Sequence, residues 1–107
     1  MNIYDKLHAN GILFSQKDVA YLVDRYNIKE LSIFGSSIRN DFDIHSDIDF
    51  LIEFNNSENI SLFDLLDIQE YIERLTKRSV DLVEPAGLKN PYRREAILKT
   101  KEILYVA

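Results

Sequence analysis

The sequence predicts an α/β (α+β) fold: a small mixed β-sheet with helices packed on one face. Three observations carry this. Stretches of strict alternation, with Ile48, Phe50, Ile52 and Phe54 on one side, are interleaved with stretches of helical period such as Val19, Leu22, Val23 and Tyr26. Turn residues separate the stretches, at Asn10-Gly11, Gly35-Ser36, Asn55-Asn56-Ser57 and Pro85. The 107 residues are 46% hydrophobic and 29% charged, which suits one domain over residues 1–107 with one core.

Each element follows in order. Residues 2 to 9 form a short helix ended by Asn10-Gly11. Ser15-Gln16-Lys17-Asp18 reads as a capping box with Asp in place of Glu, opening the second helix. Glu30 to Phe34 is a strand that Gly35 ends, and Asp47 to Phe54 is the clearest strand in the chain. Asn55-Asn56-Ser57 is a turn. Ser61 caps a long helix running to about Thr76, with Leu62, Leu65, Leu66, Ile72 and Leu75 as its expected buried stripe. Val80 to Glu84 is a third strand, stopped by Pro85. Pro91 starts the last helix, where its missing N–H costs nothing. Ile103 to Val106 closes the chain as an edge strand.

Composition narrows the function. Eighteen acids against thirteen bases give a net charge of −5, which disfavours a phosphate-backbone footprint and direct nucleic-acid binding. Lys77-Arg78 and Arg93-Arg94 read as solvated helix ends. The absence of cysteine excludes disulfides and thiolate metal sites and fits a reducing cytoplasm. No basic region followed by an apolar stretch opens the chain, and no apolar run nears the roughly 20 residues of a membrane span.

The chemistry concentrates between Gly35 and Asp49. Gly35-Ser36 is followed, after ten residues, by Asp47-Ile48-Asp49. On an extended strand residues i and i+2 face the same way, so Asp47 and Asp49 stand together. Paired acids repel, and such a pair is kept most readily around a hard cation such as Mg²⁺. In Ser79-Val80-Asp81-Leu82-Val83, placing Val80 and Leu82 in the core puts Asp81 beside that pair if the strands are neighbours. Glycine at 35 lets an anion approach backbone N–H groups, and the Ser36 hydroxyl adds a donor. The whole describes a triphosphate site: attack on an α-phosphorus with loss of pyrophosphate, one metal activating the hydroxyl and a second steadying the leaving group. Asp81 would bridge the activating metal or take the proton. Asp41-x-Asp43 imitates the motif but sits in a polar loop, where solvated acids are expected. Arg39 suits either a phosphate or a pairing with Asp41 or Asp43. His45 reads as a loop residue, and Tyr92 or Tyr105 as interface candidates.

Gly35-Ser36-x10-Asp47-x-Asp49, with Asp81 on a later strand, resembles the signature of the DNA polymerase β nucleotidyltransferase superfamily. The short length resembles its minimal nucleotidyltransferase (MNT) antitoxins, which accompany HEPN-domain RNase toxins. Family members often carry Arg where this chain has Ser37 and Gly where it has Asn40. The resemblance implies a polymerase β-like fold and Mg²⁺ (two ions) on Asp47, Asp49 and Asp81. It also implies phosphates held by Gly35, Ser36 and Arg39, and AMP transfer from ATP to a tyrosine of the HEPN toxin. No residues remain for an acceptor-holding domain, so another polypeptide is expected to supply the acceptor in a hetero-oligomer. Two rivals stand beside this: neutralisation by binding and occlusion, and transfer to a small molecule.

Overall fold

The computed structural model describes residues 2–43, 45–56 and 59–107. Helices α1 (Ile3–Ala9) and α2 (Gln16–Tyr26) lead into strand β1 (Ile28–Phe34). A single 3₁₀ turn, Gly35–Ile38, follows, and a loop then returns the chain as β2 (Ile48–Phe54). After α3 (Leu62–Thr76) come β3 (Val80–Val83), a further 3₁₀ turn at Pro85–Gly87, α4 (Pro91–Thr100) and β4 (Glu102–Val106). The sheet order is β3-β2-β1-β4. β1 is antiparallel to both β2 and β4, while β2 and β3 run parallel across the long α3 connection. The sheet is thus mixed, and β4 is an edge strand as expected.

Local sequence explains the helix ends. Asn2, Ser15 and Ser61 each sit three residues before an Asp whose carboxylate accepts from the cap residue's backbone N–H, at 3.3, 2.9 and 3.0 Å. Asn27 and Lys77 end α2 and α3 in the left-handed conformation, at φ 55° and 60°, which stops the helix and frees the chain to turn. The boundaries otherwise move by one or two residues: β1 starts at Ile28, β3 ends at Val83, and β2 begins just after Asp47. Asn55 and Asn56 form the expected turn; Ser57 lies outside the described residues.

The main core joins α1, α2 and α3 to one face of the sheet. Leu7, Leu22, Ile33, Phe50, Ile52, Ile68 and Ile72 are fully buried there, and Phe14 meets Phe50 edge-on with ring centroids 5.5 Å apart. Each such side chain contributes roughly 1.5–3 kcal/mol by leaving water. The expected stripe on α3 needs correction. Ile68, Ile72 and Thr76 are its buried residues, with Leu65 and Leu75 packed at the margin. Leu62 and Leu66 are 69% and 49% exposed, because the first turns of α3 carry them away from the sheet.

The expectation of helices on one face holds for α1, α2 and α3. α4 differs. Its Ile97, with Leu88 before it, is buried against Phe34 and Leu51 on the opposite face, beside Val83. The sheet therefore has a second, smaller core, and α4 lies on the same face as the motif aspartates. Among the described residues, no helix is long and apolar enough to cross a membrane.

Candidate active site

Strand register assembles the acids. Phe34, the last residue of β1, pairs with Asp49 across the antiparallel ladder. Asp49 pairs in turn with Asp81 across the parallel ladder. Asp47 precedes Asp49 by two residues, at the mouth of β2. The neighbour relation between β2 and β3, assumed from alternation, is met. Asp47 and Asp81 are exposed, and Asp49 is half-buried between them.

This placement has an electrostatic signature. The Asp49 carboxyl is held above its ordinary range, first by burial and then by the charges of Asp81 and Asp47; Arg93 and Arg39 pull the other way. Burial first, and then the two neighbouring acids, disfavour the charged carboxylate, and a bound cation would oppose both effects. Among the described residues, no three acid or imidazole side chains already converge as a closed metal cage. Backbone register brings the aspartates together, and rotation about their side-chain torsions would draw the oxygens round an ion. Hard carboxylate oxygens, partly exposed and without a hydrogen-bond or ion-pair partner among the described residues, fit Mg²⁺ in their chemistry.

The glycine turn closes over this cluster. Gly35 has φ +79°, a region that side-chain-bearing residues rarely adopt. A Cβ there would also meet Oδ2 of Asp49, so a larger residue would strain the backbone and force the Asp49 carboxylate to turn away. Ser36 follows, half-buried, in the 3₁₀ turn. Ser37 is fully buried, and its hydroxyl donates to the Phe34 carbonyl at 3.4 Å. From outside the motif, the Asn10 amide donates to the carbonyls of Ser37 at 2.8 Å and Arg39 at 3.5 Å. The end of α1 thereby anchors the turn. Asn10 reads in the sequence only as a helix terminator, and nothing in its neighbourhood signals this second role.

The remaining candidates divide. Arg39 stays off the acids: its guanidinium grips Asp41, with Nε to Oδ1 at 3.0 Å and a nitrogen to Oδ2 at 3.4 Å. That hydrogen bond raises Arg39 and lowers Asp41 from their usual values. Asp43 accepts from the backbone N–H of His45 at 2.8 Å, which leads its own downward shift. Asp41, Asp43 and His45 are thus exposed loop residues, as their surroundings suggested. Arg78 departs from the solvated helix end expected of it. It donates to the Asp43 carbonyl at 2.6 Å and lies 4.4 Å from the centre of the Phe42 ring, clamping the loop that leads to Asp47. Tyr92 is 83% exposed, while Tyr105 packs on the core. Arg93, on the first turns of α4, is exposed, as expected of a solvated helix end.

A nucleotidyltransferase domain model matches residues 18–104, most of the chain. The chain belongs to the nucleotidyltransferase domain family. Protein adenylyltransferase MntA of Thermococcus cleftensis is 33% identical over 85 residues, 79% of this chain and 81% of that protein. The candidate protein adenylyltransferase MJ1379 of Methanocaldococcus jannaschii is 32% identical over 91 residues, 85% of this chain and 89% of that protein. Among solved structures, a candidate minimal nucleotidyltransferase superposes with a TM-score of 0.69 at 28% identity, covering 95% of both chains. A chain from a toxin–antitoxin complex with AMP-PNP also gives 0.69, covering 88% of this chain and 75% of that one. At 14% identity the second likeness speaks to the fold alone. The polymerase β-like nucleotidyltransferase architecture expected from the motif is therefore the observed one.

Proposed function

We propose that this nucleotidyltransferase moves AMP from ATP to a tyrosine hydroxyl of a HEPN-type RNase toxin and so serves as its antitoxin. The observation that carries the reading is the register Phe34–Asp49–Asp81, with Gly35 pressed against Asp49. It is joined by family membership and by relatives described as protein adenylyltransferases. ATP as donor suits a cytoplasmic reaction.

The roles follow from position. Asp47, Asp49 and Asp81 would hold Mg²⁺, two ions by the family pattern. When bound, Mg²⁺ supplies neutralisation of phosphate charge and a lowered pKa for the acceptor hydroxyl. Gly35 permits the tight turn that would present backbone N–H groups to the phosphates, and Ser36 offers its hydroxyl as a donor. Arg39 joins them on exchanging Asp41 for phosphate, both being targets of the same planar fork. The acceptor oxygen bonds to the α-phosphorus and the bond from that phosphorus to the β-bridging oxygen breaks. Pyrophosphate departs, and the hydroxyl proton passes to the exposed Asp81 carboxylate and then to water. The added AMP carries a phosphodiester charge and a bulky base, enough to obstruct an RNA-binding surface.

Intact mass spectrometry tests this. A substoichiometric amount of the protein, with ATP and Mg²⁺, is expected to add one or more AMP units to the co-purifying toxin. The modified toxin should remain inactive after the antitoxin is removed. No mass shift, with full silencing by the Asp47→Asn/Asp49→Asn double variant at equal stoichiometry, would replace the reading with occlusion.

A further inference from the structure

The parallel ladder pairs Asp49 with Asp81 but does not reach Asp47. Asp47 stands one residue before β2, exposed and outside the paired positions. Its place beside Asp81 therefore depends on the chain to either side. After it, the Ile48 N–H donates to the Ser79 carbonyl at 3.0 Å. Before it, Ser46 is tied back to Asp43. The Ser46 N–H donates to the Asp43 carbonyl at 3.1 Å and its hydroxyl to the Asp43 carboxylate at 3.2 Å, while the Asp43 N–H donates to that hydroxyl at 3.1 Å.

Arg78 secures this second hold. One of its guanidinium nitrogens donates to the same Asp43 carbonyl at 2.6 Å, and the group lies 4.4 Å from the centre of the Phe42 ring. Phe42 in turn packs against the main core. A planar guanidinium can stack on a ring and donate from its edge at once, which fixes both residues. Arg78 and Ser79 are consecutive, so adjoining residues grip the chain on both sides of Asp47, and Asp81 follows two residues later. The bond at Ile48 alone would leave the chain before it free to pivot. Held at Asp43 as well, Asp47 keeps a fixed place relative to Asp81.

We infer that Arg78 is a positioning residue: by gripping the Asp43 carbonyl it holds Asp47 beside Asp81 and so sets the affinity of the site for its cation. The inference rests on reading the three aspartates as the cation site of the transfer reaction, and adds to them a residue that does not touch the ion. Partners outside the ligand set act in this way, by keeping the ligands oriented. Arg78 also carries a positive charge, which by itself would repel a cation. Its removal therefore has opposite consequences on the two accounts. Charge alone predicts tighter cation binding, and loss of position predicts weaker binding.

Titration with Mn²⁺, followed by the loss of the free ion's paramagnetic resonance signal, distinguishes these. Mn²⁺ takes the same hard oxygen ligands as Mg²⁺. Wild type, Arg78→Ala, Arg78→Lys and Lys77→Ala are compared without nucleotide. Arg78→Ala is expected to need about tenfold more Mn²⁺ for half-saturation, the lower end of what outer partners of metal ligands contribute, with the number of sites unchanged. Arg78→Lys keeps a donor and should recover part of the affinity. Lys77→Ala removes an equal charge from the neighbouring exposed position and should stay within about twofold of wild type. Equal or tighter binding in Arg78→Ala overturns the inference while leaving the transfer reading intact. So does an equal loss in Lys77→Ala, or fewer sites at the wild-type half-saturation point, the mark of partial unfolding. A wild type that takes up no Mn²⁺ overturns both readings.

Discussion

Two Asp-x-Asp pairs lie six residues apart in this chain, and folding treats them in opposite ways. Asp41 and Asp43 stand in an exposed loop, and each gains a partner: Arg39 for the first, the His45 N–H and the Ser46 hydroxyl for the second. Their carboxyls are held below the ordinary range. Asp49 gains the reverse, a half-buried position flanked by Asp81 and Asp47, and its carboxyl is pushed up. Identical spacing therefore says little until the backbone around it is known. A loop can bend to satisfy an acid locally. A strand in fixed register cannot, so an acid there keeps the company its neighbours impose.

The largest expected difference between the pairs is catalytic. Asp47→Asn and Asp49→Asn keep side-chain size and remove charge. Each should lower AMP transfer roughly a hundredfold to a thousandfold or more, the range for losing a preorganised electrostatic group. Asp41→Asn and Asp43→Asn should stay within a few-fold in the same assay. A comparable loss from both pairs would mean that the loop, not the strand, carries the chemistry.

A pair of glycines sharpens the point. Gly11 and Gly35 both have positive φ, +75° and +79°, but a Cβ at Gly11 meets nothing within 4 Å whereas one at Gly35 strikes Asp49. Alanine at either should cost about 1–2 kcal/mol from backbone strain. Gly35→Ala should cost more than Gly11→Ala in chemical denaturation and should also reduce transfer. Equal costs would show that the turn does not press on the carboxylate.

The smallest effect is on stability without metal. An acid whose folded pKa is raised binds its proton more tightly in the folded state. Stability therefore falls as pH rises from the unfolded value, about 3.9, through the folded one. Asp49→Asn should remove that loss. At neutral pH it should melt slightly higher than wild type, by an amount worth roughly 0.5 kcal/mol once solvent screening at this half-exposed position is allowed for. Below pH 4 the two should converge. A variant less stable than wild type at neutral pH would show that Asp49 already has a stabilising partner.

Much of this site was legible from alternation. Ile48, Phe50 and Ile52 had to be core, so Asp49 faced the other way; the same logic at Val80 and Leu82 placed Asp81. The capping boxes at Ser15 and Ser61 and the start at Pro91 were equally local. What failed was tertiary. α3 has more apolar residues than the sheet can cover, and only packing shows that Ile68 and Ile72 are covered while Leu62 and Leu66 are not. Nor does period reveal which face of the sheet a helix will choose, so α4 could not be placed. Asn10 and Arg78 reach the turn and the loop across 27 and 35 residues of sequence, distances over which no local pattern operates.

The central claim is that Asp47, Asp49 and Asp81 form an acid cluster completed by a cation and a nucleotide. The most direct measurement is the melting temperature of wild type and Asp49→Asn with Mg²⁺ and ATP, singly and together. A ligand that binds the folded state alone stabilises it by about 2.7 kcal/mol at a hundredfold excess over its dissociation constant. Wild type should gain several degrees with both ligands and less with either one, and Asp49→Asn should gain little. An unchanged wild-type curve at saturating levels, or an equal gain in Asp49→Asn, would contradict the account.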